Sequence, residues 1–280
     1  MKKLLVLMLL PLLAACSSVE RLALPAPEVL PGQTLTQFAS VPGHQVDHRM
    51  WSAFLSRYVA PDARGVNRVA YGQVTQADRA RLDRYLADLQ SVDPMRLTRD
   101  QQLAYWINLY NAVTVSVVLE NYPVDSIRDI KDRPLSIGPW SRPLVEVMGQ
   151  MLSLNDIEHR IIRPVFDEPR IHYALNCAAV GCPNLMDRAW QAETLERDFT
   201  AAEHAYVNDP RGVRFDENGG LILSKIYIWF REDFGPNEKA LLLRIQKAAD
   251  PELRALLKEA QRVKAYRYNW DLNDVRPEDS

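Results

Sequence analysis

The sequence predicts an α+β protein with a single globular domain, and three observations support this. An apolar stretch from Leu103 to Val118 leaves hardly any polar face, which is typical of a helix buried on all sides. Short β-prone segments alternate with turn residues, as at Gly149-Gln150. Amphipathic helices precede and follow them. We therefore expect a buried central helix surrounded by further helices, short antiparallel strands and hairpins.

The elements up to and including the central helix are predicted from local sequence patterns. Apolar residues at helical spacing predict helices over 51–58 and 78–89. Between them, the stretch from Gly65 to Val69 indicates a turn into a short strand. Thr98 with Gln101 is a capping box for the central helix, which should end before Tyr122-Pro123.

The second half of the chain contains both hairpin and helix patterns. Alternation up to Leu152 around the Gly149-Gln150 turn predicts a hairpin, and Ser153 should cap a helix that ends at Arg163. The remaining expected elements are a helix at 193–206, strands between the turns at 208–210 and 218–220, a packed aromatic segment at 224–234, helix within 238–257, and a strand at 266–272.

Two amides lie on the central helix. Asn108 and Asn111 are three residues apart and therefore share one face. Because buried amides must find partners, we expect both to bond to a neighbouring loop and to face the cysteine-bearing segment. The alternative is a functional amide that orients a histidine or stabilises an oxyanion.

The N-terminus has the features of a secretory signal. Lys2 and Lys3 precede an apolar run that ends in Leu13-Ala14-Ala15-Cys16. This ending resembles the lipobox of bacterial lipoproteins, in which cleavage precedes a cysteine that carries acyl chains such as palmitate. The resemblance implies a signal peptide at 1–15, a Pro-rich tether at 16–45 and a globular domain at 46–275. The alternative is a signal peptide without lipid and an incidental cysteine.

The resemblance also implies a location. Ser17, rather than an aspartate, follows Cys16, which implies the outer membrane with the domain facing the periplasm. Several acyl chains would anchor the protein stably. Lys+Arg 34 against Asp+Glu 36 gives a net charge of −2, so nothing in the composition indicates a nucleic-acid partner. The expected partners are the membrane, reached through the lipid on Cys16, and an envelope protein or peptide.

The segment 170–190 contains the residue types that are chemically most reactive. Cys177 and Cys182 remain as an even pair once Cys16 is lipidated. Pro183 predicts the first turn of a helix, where a thiol at Cys182 would have a lowered pKa. His172, on a β-prone segment, and His159 are candidate bases, although His159 could equally be a surface residue that pairs with Asn155.

Other chemistry has less support. The five-residue separation of the cysteines differs from the Cys-x-x-Cys spacing of redox exchangers. Two cysteines and scattered histidines give no metal-ligand spacing, so we expect neither a metal nor a cofactor. His204 is expected to be an ordinary surface histidine.

Several blocks in order carry a family resemblance: YWINLYNAVT at 105–114, YPVDSIRDI at 122–130, LSLNDIEHRIIR at 152–163, HYALNCAAVGCPNL at 172–185, NDPRGV at 208–213, SKIYIWFREDFG at 224–235 and YRYNWDLND at 266–274. Together they resemble the family called domain of unknown function 547. That family has been grouped with papain-like cysteine peptidases. The resemblance therefore implies a papain-like fold as one alternative.

By the same resemblance, the catalytic positions would be Cys182 or Cys177, His172 or His159, and Asn108 or Asn111. In papain-like enzymes the cysteine precedes the histidine in the chain, whereas here both histidines come first, so the order would be permuted.

Two functions follow. In an oxidising periplasm, we expect a Cys177–Cys182 disulfide in a non-catalytic binding or structural lipoprotein. The alternative is a thiol hydrolase or transferase that acts on an envelope amide or ester, with a cysteine nucleophile and a histidine base.

Overall fold

The longest element is the helix Arg99–Asn121, which is buried along almost its whole length. In the computed structural model, residues 25–29, 35, 37–41, 43, 45–131, 136–260 and 262–275 are described. Thr98 and Gln101 form the expected capping box at the start of this helix. Its middle turn, Tyr105 to Ile107, is 0% exposed. A helix with no polar face is stable in this position because neighbours cover every side of it.

The other helices surround this one. In chain order, the helices are α1 (Arg49–Tyr58), α2 (Gln76–Gln90), α3 (Arg99–Asn121), α4 (Arg163–Phe166), α5 (Leu195–Val207), α6 (Ile226–Trp229), α7 (Arg231–Phe234), α8 (Glu238–Ala248) and α9 (Pro251–Glu259). A π-helix, Asp156–Ile162, leads directly into α4, and a 3-10 helix spans Pro169–Tyr173. The helical stretch that begins at Leu154 and continues into the π-helix is capped by Ser153, whose hydroxyl accepts from the Asp156 N–H at 3.1 Å.

The strands are short and form small sheets. They are β1 (Val59–Pro61), β2 (Asn67–Val69), β3 (Val145–Val147), β4 (Gln150–Leu152), β5 (Val213–Phe215), β6 (Leu221–Ser224) and β7 (Val263–Arg267). β1 pairs with β2, and β3 pairs with β4, both antiparallel. β6 is the centre of a three-stranded sheet, antiparallel to β5 and parallel to β7. The fold is a single-domain α+β fold, as the sequence predicts.

Two predicted elements differ from the structure. The helical stretch at 238–257 is two helices, because Pro251 disfavours helical backbone at the preceding residue and starts α9 as its first residue. The last strand covers 263–267 rather than 266–272. Beyond Arg267, the backbone bonds instead to the loop that carries the cysteines, as in the 2.8 Å bond from the Val180 N–H to the Asp271 carbonyl.

The segment 269–275 joins distant parts of the chain. The Val69 N–H donates to the Asn273 carbonyl at 2.8 Å, and the Val275 N–H donates back to Val69 at 3.2 Å. On the other side, the Asn273 N–H donates to the Ala178 carbonyl at 3.0 Å. One extended segment therefore holds both β2 and the cysteine-bearing loop in place.

Parts of the stretch expected to be a tether contact the domain. Leu35 is 2% exposed within the main apolar core, and the Ala39 N–H donates to the Leu97 carbonyl at 2.8 Å. The Glu28 N–H donates to the carbonyl of His159 at 3.2 Å. Cys16 and the predicted signal peptide lie outside the described residues. None of the helices that the structure describes has both the length and the apolar character needed to cross a bilayer.

Candidate functional site

The two cysteines lie at opposite ends of a short loop, which we call the cysteine loop (residues 177–182). Their sulfur atoms are at disulfide-bonding distance, and their Cα atoms are 6.4 Å apart, within the range that a bridge requires. Cys182 is 2% exposed, whereas Cys177 is half-buried. The expectation of a Cys177–Cys182 pair that can adopt a disulfide agrees with this geometry.

The prediction that a helix starts at Pro183 is wrong, because residues 183–191 are irregular. The polar groups here bond elsewhere. The Pro183 carbonyl accepts from the Asn176 side chain at 2.8 Å, and the Asn184 side chain donates to the Gly65 carbonyl at 2.8 Å. Cys182 therefore has no helix N-terminus to lower its pKa.

The central helix supports the start of the cysteine loop. The Asn111 amide donates to the Ala174 carbonyl at 2.9 Å and accepts from the Asn176 N–H at 2.8 Å. Asn176 in turn accepts from the Ala178 N–H at 2.9 Å. Ala178 has a φ of 59°, a left-handed conformation that is uncommon outside glycine. This chain of amide bonds holds the backbone in that conformation.

Asn108, one turn earlier, supports the far end of the same segment. Its amide donates to the Trp190 carbonyl at 2.8 Å and accepts from the Trp190 N–H at 3.0 Å. Both asparagines thus bond to the segment that carries the cysteines, as expected. Neither makes a described hydrogen bond to a histidine.

The Arg211 side chain donates hydrogen bonds to the backbone of the cysteine loop. Its guanidinium donates to the carbonyls of Val180 and Cys182, each at 3.1 Å, and to the Asn184 side chain at 2.9 Å. Asp209 orients the guanidinium through a two-pronged contact at 2.8 and 2.9 Å. The planar, multi-donor guanidinium can bond several acceptors at once, which a lysine ammonium does not match.

Tyr268 contacts both sulfurs. Its hydroxyl lies 3.0 Å from the Sγ atom of Cys177 and 3.0 Å from that of Cys182. Burial raises the pKa of Tyr268 well above its usual range, and the charge of Glu158 adds to this effect. The hydroxyl therefore keeps its proton. The rings of Trp229 and Trp270 pack against Tyr268 at centroid distances of 4.8 and 4.7 Å.

A second cluster, the histidine cluster (Glu158, His159, Arg163, His172 and Asp233), lies on the π-helix, α4, the 3-10 helix and α7. His172 is on 3-10 helix rather than strand, and it is 3% exposed. Its Nε2 atom is 2.6 Å from Asp233 Oδ2, and its Nδ1 atom is 3.8 Å from Glu158 Oε1. Its ring stacks on Phe230 with centroids 3.9 Å apart.

Arg163 neutralises this cluster. Its guanidinium donates to Asp233 at 2.7 and 3.0 Å, and its Nη1 donates to the Nδ1 of His159 at 3.2 Å. The prediction of a surface His159 paired with Asn155 is therefore wrong: His159 is 2% exposed. Burial, with the charges of Arg163 and His172, lowers the pKa of His159 to about 3, so the ring is neutral at pH 7.

The pKa values of the two inner carboxyl groups move in opposite directions. Burial raises the pKa of Glu158 to about 7, although the charge of Arg163 and the Tyr110 hydroxyl oppose the shift. Burial would raise the pKa of Asp233 as well, but hydrogen bonds from His172 and Arg163 hold it below its usual range. Glu158, His172 and Asp233 thus form a buried line of groups that can hold a proton at neutral pH.

The structure therefore sorts the candidate residues into two clusters. Cys177, Cys182 and Asn111 belong to the cysteine loop and its support, and His159 and His172 belong to the histidine cluster. In the part of the chain that the structure describes, the hydrogen bonds of the sulfurs go to Tyr268 and to the Cys177 N–H, not to a histidine. His204 is exposed and pairs with Asp250 at 2.9 Å, as expected for a surface histidine.

Sequence reasoning did not select five residues of these clusters: Glu158, Arg163, Arg211, Asp233 and Tyr268. Asp233 and Tyr268 stand in aromatic segments that periodicity alone assigns to the core. The signal for Asp233 is a pair of adjacent carboxylates, Glu232 and Asp233, among four aromatic residues in 224–235. No group of three or more His, Cys, Asp or Glu side chains within the described ranges is arranged to hold a metal ion.

The comparisons with known proteins concern the same region. Residues 94–207 match the model of the family described as "Protein of unknown function, DUF547". The matched segment includes α3, the π-helix, the cysteine loop and α5, and it supports the family assignment made from the sequence motifs. No curated protein and no solved structure matches the chain significantly.

Proposed function

We propose that this chain is a lipid-anchored protein of the bacterial cell envelope that binds another envelope component and is not itself an enzyme. Its binding surface would be built around the cysteine loop, closed by a Cys177–Cys182 bridge. The anchor would be Cys16, at the end of the lipobox-like Leu13-Ala14-Ala15-Cys16, and it would hold the domain at the outer membrane, facing the periplasm.

One observation carries this proposal: the sulfurs of Cys177 and Cys182 are at bonding distance within a loop held on every side. Asn176 and Arg211 fix its backbone, and the segment 269–273 pairs with it. A bridge over so few residues contributes roughly 2 kcal/mol by loop entropy. Its main effect is to fix the local shape, which is what a preformed recognition surface requires.

The surroundings of the loop favour a peptide as the bound component. The indole N–H groups of Trp229 and Trp270 are buried and have no hydrogen-bond partner among the described residues. Both rings pack on Tyr268, which contacts the bridge. An unpaired buried donor is unfavourable, and a peptide carbonyl that entered between these rings would supply the missing acceptor.

Alkylation of the native protein tests the bridge. Iodoacetamide should label neither Cys177 nor Cys182 until a reductant is added, because a disulfide sulfur does not alkylate. Mass spectrometry of the peptides that contain each cysteine gives the result. Rapid labelling of either cysteine without reductant would contradict a bridged, non-catalytic loop.

The second candidate is a papain-like thiol hydrolase or transferase. It is favoured by the 2.6 Å contact between His172 and Asp233, which would act as the base and orienting carboxylate of a catalytic triad. The structure describes no bond between His172 and a sulfur, so this candidate requires His172 to approach the thiol when substrate binds.

One kinetic comparison distinguishes the two candidates. If the protein is an enzyme, one cysteine should alkylate quickly without reductant, and His172→Ala should slow that reaction while His204→Ala leaves it unchanged. His204 is the matched control because it also pairs with a carboxylate, but on the exposed surface. Equal rates in both variants would exclude His172 as the base.

A further inference from the structure

The two cysteines of the cysteine loop differ in their exposure to solvent. Cys177 is half-buried, whereas Cys182 is 2% exposed. Thiol–disulfide exchange begins with a thiolate that attacks one sulfur, and access selects which one. An incoming thiol therefore meets the sulfur of Cys177 first.

The buried sulfur has hydrogen-bond donors aimed at it. The backbone N–H of Cys177 donates to Cys182 Sγ at 3.0 Å. The Tyr268 hydroxyl is 3.0 Å from the same atom and also 3.0 Å from Cys177 Sγ, and it must be the donor because a disulfide sulfur carries no proton. Its proton can turn to whichever sulfur becomes charged, whereas the Cys177 N–H is directed at Cys182. Hydrogen bonds to an ionised acceptor are about twice as strong as neutral ones. Both donors would therefore stabilise Cys182 far more as a thiolate than as half of a bridge.

We propose that the Cys177–Cys182 bridge undergoes ordered exchange with thiols, in which Cys177 is attacked and Cys182 is the leaving group. A substrate thiolate attacks Cys177 Sγ and forms a mixed disulfide with it. The bond between the two cysteine sulfurs breaks, and its electron pair remains on Cys182 as a thiolate that Tyr268 and the Cys177 N–H hold. A second substrate thiolate then attacks the substrate sulfur of the mixed disulfide and releases Cys177. The bridge is reduced to two thiols, and two substrate thiols are oxidised to one disulfide.

This inference rests on the bridge of the proposed function, but not on lipid anchoring or on ligand binding. Because exchange opens the bridge, the shape of the cysteine loop would depend on the thiols around the protein. The substrate class is a thiol that reaches a half-buried sulfur, either a small molecule or a cysteine on an exposed segment of another protein.

Glutathione mapping tests the order of exchange. The full-length protein is first oxidised with oxidised glutathione and desalted, then treated briefly with reduced glutathione and quenched with iodoacetamide. We expect glutathione on Cys177 and the alkyl group on Cys182 in the same molecules, read by peptide mass spectrometry. Glutathione mainly on Cys182, or no adduct while the fold is intact, would overturn the inference.

A pair of tyrosine variants tests the role of the hydroxyl. Tyr268→Phe keeps the ring and removes the donor, so the rate of bridge opening by dithiothreitol should fall about tenfold, since one hydrogen bond to a charged group is lost. Tyr266→Phe is the control, because the Tyr266 hydroxyl is buried without a hydrogen-bond partner in the described part of the chain. Equal opening rates in both variants would remove Tyr268 from the mechanism.

The mapping on the wild-type protein needs no variant, so it decides the order of exchange even if Tyr268→Phe does not fold. It also separates this inference from the proposed function. A protein whose cysteines alkylate before reduction has no bridge, and both ideas fail. A bridged protein that glutathione does not open at Cys177 keeps the bridged loop and loses only the exchange.

Discussion

At the scale of single residues, Glu158 and His159 are adjacent in the chain but respond oppositely to pH. Glu158 has a folded-state pKa of about 7 against an ordinary 4.5, so the native state keeps its proton where the unfolded chain has lost it. Its contribution to stability is present at low pH and is lost as the pH rises through this window. His159, at about 3 against 6.5, contributes stability that is lost as the pH falls below about 6.5. In the wild-type protein the two effects partly cancel.

Glu158→Gln should remove one of these two opposing contributions to stability. The difference in unfolding free energy, variant minus wild type, should increase between about pH 4.5 and pH 7 and then level off. The total increase should be roughly 3 kcal/mol, since one pKa unit corresponds to about 1.4 kcal/mol. Urea denaturation at a series of pH values measures it. The exposed Glu146, changed in the same way, should give a flat difference; a flat difference for Glu158 as well would mean that its carboxyl is hydrated.

Asn111 is the other residue with a measurable role. Asn111→Leu leaves the Ala174 carbonyl and the Asn176 N–H without partners inside the core. The unfolding free energy should fall by roughly 1–3 kcal/mol, the usual effect of orphaning a buried polar group. Thermal and urea midpoints measure this. Asn121→Leu, at the exposed end of the same helix, should change them much less, and an unchanged midpoint for Asn111→Leu would rule out these bonds.

At the scale of elements, the cysteine loop is held by contacts from four parts of the chain. α3 provides Asn111, which bonds to Asn176 just before the loop, and the last turn of α5 provides Tyr206, whose hydroxyl donates to the Gly181 carbonyl at 2.7 Å. The turn after α5 provides Arg211, and the segment 269–273 pairs with the loop backbone. These tertiary contacts add to the bonds within the loop, such as that from the Cys182 N–H to the Ala179 carbonyl at 3.0 Å.

Arg211→Lys should loosen the loop without unfolding the domain. Lysine keeps the charge, but it cannot bond the Val180 and Cys182 carbonyls together with Asn184. Hydrogen exchange of amides in residues 177–184 should therefore become faster, while exchange in α3 stays the same. Arg214→Lys is the control, because the Arg214 side chain is exposed and makes one long contact, 3.4 Å to the Pro210 carbonyl. Unchanged exchange in both variants would show that Arg211 does not restrain the loop.

The elements also show what sequence patterns could and could not predict. The capping box of α3, the hairpin of β3 and β4, and the buried face with Asn108 and Asn111 follow from local periodicity and local hydrogen bonding. The irregular backbone after Pro183 does not, because its partners lie at Gly65 and Asn176. The contact of His159 with Phe230 and that of Tyr268 with Cys177 were equally inaccessible, since they join segments far apart in the chain.

At the scale of the whole molecule, attachment to a membrane depends on Cys16. Cys16→Ala should release the protein from the membrane fraction or leave its signal uncleaved, because the acylated residue is gone. Immunoblots of separated membrane and soluble fractions measure this, and Cys177→Ala serves as the control because it leaves the lipobox-like sequence intact. An unmodified N-terminal peptide in the mass spectrum of the isolated wild-type protein would refute lipidation.

The pairing of residues 269–275 with both β2 and the cysteine loop has a consequence for biogenesis. A newly made chain leaves the ribosome from its N-terminus, so Val69 and Ala178 emerge well before the segment that binds them. Until that segment pairs, the hairpin of β1 and β2 lacks its neighbour, and both thiols of the loop are open to oxidants and to foreign disulfides. The cysteines of the folding chain are therefore unprotected until residues 269–275 have docked beside them.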